Sequence, residues 1–263
     1  MKKLTQVMEW RQQVGAPDLL NMVQLAYDHS KCPPNVSTDV WRNAQALADS
    51  LNRGSLYWHG LTKTGRPILW IRTDRKPWRP NVQAELNALI VMADTGITEG
   101  MPQNVTDFCC ISHSHNPPPP NPQFAYGMLT GLVQGYPDRL QLLISAPVSS
   151  IVEFCMNLLL PLMPGRLQHK FTFLSLERLQ QHLPELLWHG WDDVPAFFGG
   201  PNTEHDLYYP SSSESESESN KTTTKGETLK FDFYGMRERL NEQKQLFDQQ
   251  KSATESLSIQ TNN

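Results

Sequence analysis

The sequence predicts an α/β fold, in which a mostly parallel sheet is flanked by helices. The prediction rests on residues 124–174, where a helical pattern, a strand pattern, a second helix and a second strand follow one another. Both strand patterns are short and apolar, which is typical of strands buried on two faces. Alternating helices and strands indicate a parallel sheet whose strands are joined by crossover helices.

The first helix of this stretch is amphipathic. Its apolar residues recur at helical spacing, and Gly135 follows them as a helix-ending residue. Tyr136-Pro137 then predicts a turn, and residues 140–144 form the first short strand. The apolar stripe consists of Ala125, Met128, Leu129, Leu132 and Val133.

The second helix, residues 151–163, is the most apolar in the chain. Ser150 and Glu153 have the spacing of a capping box at its start. A helix that is apolar on nearly every face must be buried or must cover something apolar. It is too short to cross a bilayer, which needs about 20 residues. Residues 171–174 form the next strand.

The preceding chain predicts three short helices and a strand pair. Residues 1–54 contain a helix ending near Trp10-Arg11, a second capped by Asp18 and a third capped by Thr38. Residues 55–59 and 68–72 flank a Thr64-Gly65 turn and predict paired strands. Further on, we expect an amphipathic helix from Val82 to a terminating Gly96, and a central strand over residues 108–112.

Composition restricts the class of protein. The 263 residues are 38% hydrophobic and 19% charged, and the net charge of -4 gives no signal for nucleic-acid binding. The four cysteines show no CxxC spacing, and the first residues lack the apolar core of a signal peptide. These features predict a cytoplasmic protein that meets membranes only peripherally.

The C-terminal part has a different composition. Residues 211–219 alternate Ser and Glu, which predicts a disordered acidic linker. After it, apolar residues at helical spacing indicate a terminal helix that docks on the domain, binds a protein partner or frays. We expect truncation after Pro210 to leave the domain folded, with its melting temperature little changed. The apolar positions are Leu229, Phe233, Met236, Leu240 and Phe247.

No enzyme motif is present. The sequence lacks GxSxG, GxxxxGK[ST], HExxH and GxGxxG, so we expect neither catalysis nor a cofactor. His113-x-His115 does not by itself make a metal site, and we expect no metal there. Pro117 to Pro120 predict a polyproline II segment, which is either a stiff connector or an SH3-type ligand.

Several short motifs resemble those of the CRAL-TRIO lipid-binding family. They are Lys63-Thr64-Gly65-Arg66-Pro67-Ile68, Tyr136-Pro137-Asp138-Arg139, Ala146-Pro147, Lys170-Phe171 and Pro195-Ala196-Phe197-Phe198-Gly199-Gly200. Their order matches that of the family across residues 55–200. The resemblance implies a lipid-binding domain over residues 55–206, preceded by the helical residues 1–54 and followed by the tail, residues 207–263.

The resemblance also implies ligand-binding residues. The helix at residues 151–163 would be the mobile gate over a lipid cavity, with Phe154, Leu158 and Met128 against the apolar part of the ligand. Asp138 and Lys170 match residues that hold the inositol phosphate in phosphatidylinositol-transferring members, and Thr172 shares the strand face of Lys170. The family's headgroup threonine is replaced by Leu167, and its Asp-Leu-x-Gly by Ser112-His113-Ser114-His115.

We therefore expect non-catalytic binding of a lipid or other hydrophobic small molecule, with transfer between membranes. Arg72, Arg75, Lys76 and Arg79 surround Trp78 and could touch anionic headgroups, or they could belong to an ordinary solvated loop. The alternative is an interaction module that has lost its cavity and uses its surface or tail as a scaffold.

Overall fold

The computed structural model describes residues 2–115, 117–119, 121–148, 165–207 and 231–261. Its centre is a five-stranded sheet with the order β1-β2-β3-β4-β5. β1 and β2 are antiparallel and the other neighbouring strands are parallel, which confirms the predicted fold class. The strands are β1 (Leu56–Leu61), β2 (Pro67–Arg72), β3 (Phe108–His113), β4 (Leu140–Ala146) and β5 (Phe171–Phe173).

Helices precede the sheet, connect its strands and follow it. A π-helical turn, Gly131–Gly135, continues directly from the helix between β3 and β4. The helices are α1 (Lys2–Gln13), α2 (Ala16–Asp28), α3 (Thr38–Asn52), α4 (Val82–Glu99), α5 (Pro122–Thr130), α6 (Gly165–Gln168), α7 (Leu176–Leu186) and α8 (Phe233–Thr261).

The strand register defines two faces of the sheet. Leu69, Cys110 and Leu143 are neighbours in the strand register and lie on one side of the sheet. Trp58 pairs with Leu69 and donates its indole N–H to the Met92 carbonyl in α4. We therefore call this side the α4 face. Successive side chains of a strand point to opposite faces. The row Trp70, Ile111 and Ile144 therefore lies on the other side, the α7 face.

Helix α4 runs past Gly96, so the prediction that it ends there is wrong. The ring of Trp58 lies only 2.1 Å from where a Cβ atom at Gly96 would be placed. The glycine is required by a close tertiary contact, which local sequence patterns do not reveal. Two helix starts also differ from the predicted ones. Ser37 rather than Thr38 caps α3, and α2 begins at Ala16, ahead of the predicted cap Asp18.

The terminal helix α8 packs along β1, the edge strand of the sheet. Met236 Sδ accepts a hydrogen bond from the Trp58 backbone N–H (3.3 Å), and Gln243 Oε1 accepts one from Gly60 N–H (2.9 Å). These side chains occupy backbone donors that an edge strand otherwise leaves open. Phe231, Phe233, Met236 and Leu240 are buried against the domain.

This docking contradicts the expectation of a freely removable tail. The Ser/Glu segment at residues 211–219 and Leu229 lie outside the described residues. The division of the chain at residues 54 and 206 stays a prediction.

Two buried histidines close part of the α7 face. The rings of His59 and His205 are 4.2 Å apart, and the Tyr57 hydroxyl lies 3.1 Å from His205 Nδ1. Burial lowers the pKa of His59 to about 4 and lowers the pKa of His205 well below its usual value. Both side chains are therefore neutral at physiological pH.

We expect acid to destabilise the fold through His59. A histidine whose pKa is depressed in the folded state contributes fully above pH 6.5, and the contribution is lost as the pH falls toward 4. The free energy of unfolding should drop by about 2 kcal/mol for this residue near pH 5. Urea unfolding at several pH values tests this, with His59→Gln as the variant that should flatten the dependence. An equal pH dependence in both proteins would contradict the assignment.

Candidate ligand-binding site

An apolar cavity of about 200 Å³ lies between the α4 face of the sheet and the helices α4 and α5. Strand residues form its floor, and α4, α5 and the π-helical turn form its walls. The floor consists of Leu69, Ile71, Phe108, Cys110, Leu140 and Leu143, and the walls include Leu86, Leu89, Ile90, Ala93, Met128 and Leu132.

Two polar side chains along the cavity already have partners. The Thr130 hydroxyl donates to the carbonyl of Tyr126 (2.8 Å), and the Tyr136 hydroxyl donates to Asp94 Oδ1 (2.8 Å). Burial raises the pKa of Tyr136, and Asp94 acts in the same direction, so this hydroxyl stays protonated. What the cavity presents to an occupant is therefore mainly hydrocarbon.

One end of the cavity is closed by α1. The ring of Trp10 packs edge-on against Tyr136, with centroids 5.9 Å apart. Next to it, Arg11 forms a two-pronged ion pair with Asp94, at 2.7 and 2.8 Å. Tyr136 donates to the same carboxylate, so one network joins α1, α4 and the turn before β4. The network holds Trp10 in place as a wall of the cavity.

Glycines recur every four residues on α5 and the π-helical turn. A Cβ atom would come within 2.5 Å of Leu86 at Gly127 and within 2.2 Å of the Trp10 ring at Gly135. At Gly131 the same ring would be 3.5 Å away, which is ordinary contact. The close approach of the π-helical turn to α1 therefore depends on Gly135, whereas at Gly127 the end of the Leu86 side chain would have to shift.

This geometry predicts opposite outcomes for two similar substitutions. Gly135→Ala should displace Trp10 and lower the free energy of unfolding by about 1–3 kcal/mol. Gly131→Ala should be neutral or stabilise by up to about 1 kcal/mol, because alanine restricts the unfolded chain. Chemical denaturation of both variants checks this, and equal stabilities would show that Trp10 does not depend on the glycine.

The cavity volume limits what the described residues alone can enclose. About 200 Å³ exceeds the roughly 150 Å³ of an engineered apolar cavity that binds benzene. It is below the roughly 300 Å³ at which pockets for drug-sized ligands begin. The described cavity therefore fits a small apolar group or part of one acyl chain.

The predicted site residues lie in different places. Met128 lines the cavity. Asp138, in the left-handed backbone region (φ 64°), pairs with Lys3 at 2.5 Å, and both side chains are more than half exposed. The Lys170 ammonium donates to the Leu140 carbonyl.

Thr172 lies on the α7 face, in a shallow groove that Leu142 and α7 also line. Phe154 and Leu158 fall outside the described residues. Of the predicted residues that the structure describes, Met128 is in the cavity wall, whereas Asp138, Lys170 and Thr172 are not.

A second, more open groove of about 650 Å³ adjoins the closed end of the cavity. Tyr136 borders both spaces, and charged side chains of both signs surround the groove. Sequence reasoning did not find this groove or the Trp10–Tyr136 wall. The one local signal was the Trp10-Arg11 pair, near which the sequence predicts the end of the first helix. The charged residues are Lys3, Arg11, Asp94, Glu99 and Arg139.

Most of the basic cluster predicted to touch headgroups is used inside the fold. Arg72 pairs with Asp74 (2.8 Å), and Lys76 pairs with the buried Glu85 (2.9 Å). Burial alone would raise the pKa of Asp74, but hydrogen bonds from His113 and Arg72 hold it well below its usual range. Arg79 is exposed. The cluster is therefore not a surface of four cations.

The described residues contain no group of three His, Cys, Asp or Glu side chains arranged to hold a metal ion. No described helix is both long enough and apolar enough to cross a bilayer. His113 contacts Asp74 at 3.2 Å instead, and its ring centroid is 6.0 Å from that of His115.

The structure is therefore an α/β fold with an apolar cavity on one face of its sheet. The sequence profile of the CRAL/TRIO domain matches residues 51–200, so the chain belongs to the CRAL/TRIO family. Members of this family bind lipids or other small hydrophobic ligands and are generally not enzymes.

The chain is similar to a solved structure titled "Crystal structure of Sfh5", with 14% sequence identity and a TM-score of 0.49, and the alignment covers 76% of this chain and 67% of that chain. No curated protein matches the sequence.

Proposed function

We propose that this protein binds a lipid or another small hydrophobic molecule without catalysis and transfers it between membranes. The observation that supports this most is the cavity on the α4 face, whose walls are mainly hydrocarbon and beside which Thr130 and Tyr136 have hydrogen-bond partners elsewhere. Burial of acyl groups there would drive uptake at about 25 cal/mol per Å² of apolar area. The proposal places the protein in the cytoplasm, with peripheral contact to membranes.

In this proposal the gate is the segment of residues 151–163, which lies outside the described residues. It connects β4 to β5, two neighbouring parallel strands. Such connections are right-handed in nearly all proteins. The same handedness would put the gate on the α4 face, with Phe154 and Leu158 completing the cavity that Met128 begins.

We propose a headgroup site at the N-terminal ends of β4 and β5, where Asp138 and Lys170 lie. If Lys170 binds a phosphorylated inositol, Lys170→Ala should lower phosphatidylinositol transfer while sparing neutral lipids. Loss of a charge-assisted contact should cost roughly 1.5–3 kcal/mol. Lys63→Ala, at an exposed lysine in the β1–β2 turn, is the matched control. If the variant loses transfer of every lipid equally, or loses none, Lys170 does not bind the headgroup.

The proposed function is tested by moving labelled lipid between two vesicle populations. Donor vesicles would carry a fluorescent phosphatidylcholine or phosphatidylinositol with a quencher, and acceptor vesicles would carry neither. We expect the protein to raise the transfer rate in proportion to its concentration. A folded protein that neither extracts nor transfers any lipid would instead favour the scaffold, with the surface or tail as the binding element.

A further inference from the structure

Two strongly exposed aromatic side chains belong to α5, which lines the cavity, and to the loop that leads into α4. Tyr126 is 75% exposed and Trp78 is 72% exposed, the highest values among the large hydrophobic side chains that the structure describes. Tyr126 belongs to α5 and lines the cavity, as does Gln83 in the first turn of α4. Trp78 lies in the loop that leads into α4. Aromatic side chains left in water beside an apolar cavity need a physical explanation.

The loop and α5 form one continuous surface. The Lys76 ammonium lies 4.5 Å from the ring centroid of Phe124, so the loop is fixed to the start of α5. Lys76 is held from the other side by the buried Glu85. We call Trp78, Phe124 and Tyr126 the aromatic lip. The contact joins the loop to Phe124, and Tyr126, two residues further along α5, lines the cavity.

This surface carries almost no charge. Residues 116–137 contain no Asp, Glu, Lys or Arg. Helix α5 is apolar in sequence, and yet none of its residues is buried. In the loop, Arg72 and Lys76 are paired with carboxylates, which leaves Arg79 as the exposed cation nearest to Trp78 in sequence. A charge-free, apolar helix with an exposed Trp and Tyr matches the interface of a bilayer, where amphipathic rings reside.

We propose that the aromatic lip docks the protein on the interface of a phospholipid membrane. This inference rests on the proposed function, because docking there would place the cavity opening against the membrane that supplies the ligand. Insertion of apolar and aromatic groups, rather than charge, provides most of the binding. Binding therefore occurs on zwitterionic phosphatidylcholine, and anionic lipid adds roughly the fivefold that one basic residue, Arg79, contributes.

Sedimentation of the full chain with vesicles tests the proposal. Trp78→Ala and Tyr126→Ala should each weaken binding to phosphatidylcholine vesicles by roughly fivefold or more, as expected for withdrawing one aromatic ring from the interface. The matched control is Trp191→Ala, because Trp191 is also an exposed tryptophan (47%) and is followed by Asp192 and Asp193. Arg79→Gln should leave binding to phosphatidylcholine unchanged and abolish the additional binding produced by phosphatidylserine.

The outcomes separate docking from ligand binding. Loss of vesicle binding in the two lip variants, with binding retained in the Trp191 variant and circular dichroism unchanged, supports the proposal. If folded wild-type protein does not sediment with either vesicle, or if the Trp191 variant loses as much as the lip variants, the lip is not a membrane surface. Lipid carriage without vesicle docking overturns this inference alone, whereas docking without any lipid uptake overturns the proposed function alone.

Discussion

Truncation of the chain after Pro210 is expected to unfold the protein. It removes Phe231, Phe233, Met236 and Leu240, which are buried. Each buried side chain of this size contributes about 1.5–3 kcal/mol, so the loss is on the order of 6–12 kcal/mol. That approaches the whole stability of a typical domain, about 5–15 kcal/mol. The truncation also uncovers the edge of β1 and breaks the pair between Arg237 and Glu99.

A matched pair of leucines on α8 tests the same contact without removing the helix. Leu240 is buried and Leu246 is 53% exposed. Leu240→Ala should lower the free energy of unfolding by about 2–5 kcal/mol, whereas Leu246→Ala should change it by less than about 0.5 kcal/mol. Thermal and urea unfolding measure both variants. A truncated chain that melts like the wild type, or leucine variants of equal stability, would mean that α8 does not stabilise the domain.

The second large effect is expected from filling the cavity. Cys110 points into it, and burial raises the pKa of its thiol, so the side chain acts as a small apolar group. Cys110→Phe should place a ring in the empty volume. We expect the affinity for a fluorescent lipid to fall at least about tenfold, with stability changed by less than about 1.5 kcal/mol. Ligand titration and thermal unfolding of the same protein measure both quantities.

The adjacent cysteine provides the control. Cys109 is equally buried, but it lies on the α7 face, beside Ile68 and Leu142 in the register. Burial raises the pKa of its thiol to about 12, so the two residues are chemically alike. Cys109→Phe should overpack that layer, cost about 1–3 kcal/mol, and leave the affinity of the folded protein unchanged. If both variants lose ligand equally, or neither does, the cavity on the α4 face does not hold the ligand.

The fold was predictable because the local patterns and the tertiary structure agree. Helical spacing in α3 and α5 and short apolar runs in β3 and β4 correspond to observed elements. The end of α4 was mispredicted because a distant contact sets the residue there. Gly96 resembles a helix end, but it is there to admit the ring of Trp58. Nothing near Gly96 in the sequence signals that contact.

The site was less accessible to sequence reasoning. Met128 was expected to touch the ligand, and it lines the cavity. Trp10 and Tyr136, which close the cavity, are distant in sequence and meet only after α1 has packed against the π-helical turn. The partners of charged residues were equally hidden, because Lys76 reads as a surface cation and is held by the buried Glu85. An amino-acid pattern shows which residues carry charge, but not which charges neutralise each other.

Native mass spectrometry of the full chain, purified without detergent, tests lipid binding most directly. The account predicts a population whose mass exceeds that of the polypeptide by one lipid or similar hydrophobic molecule, and the loss of this population in Cys110→Phe but not in Cys109→Phe. Folded wild-type protein that carries no added mass, and that gains none after incubation with lipid vesicles, would contradict the proposal that this domain is a lipid carrier.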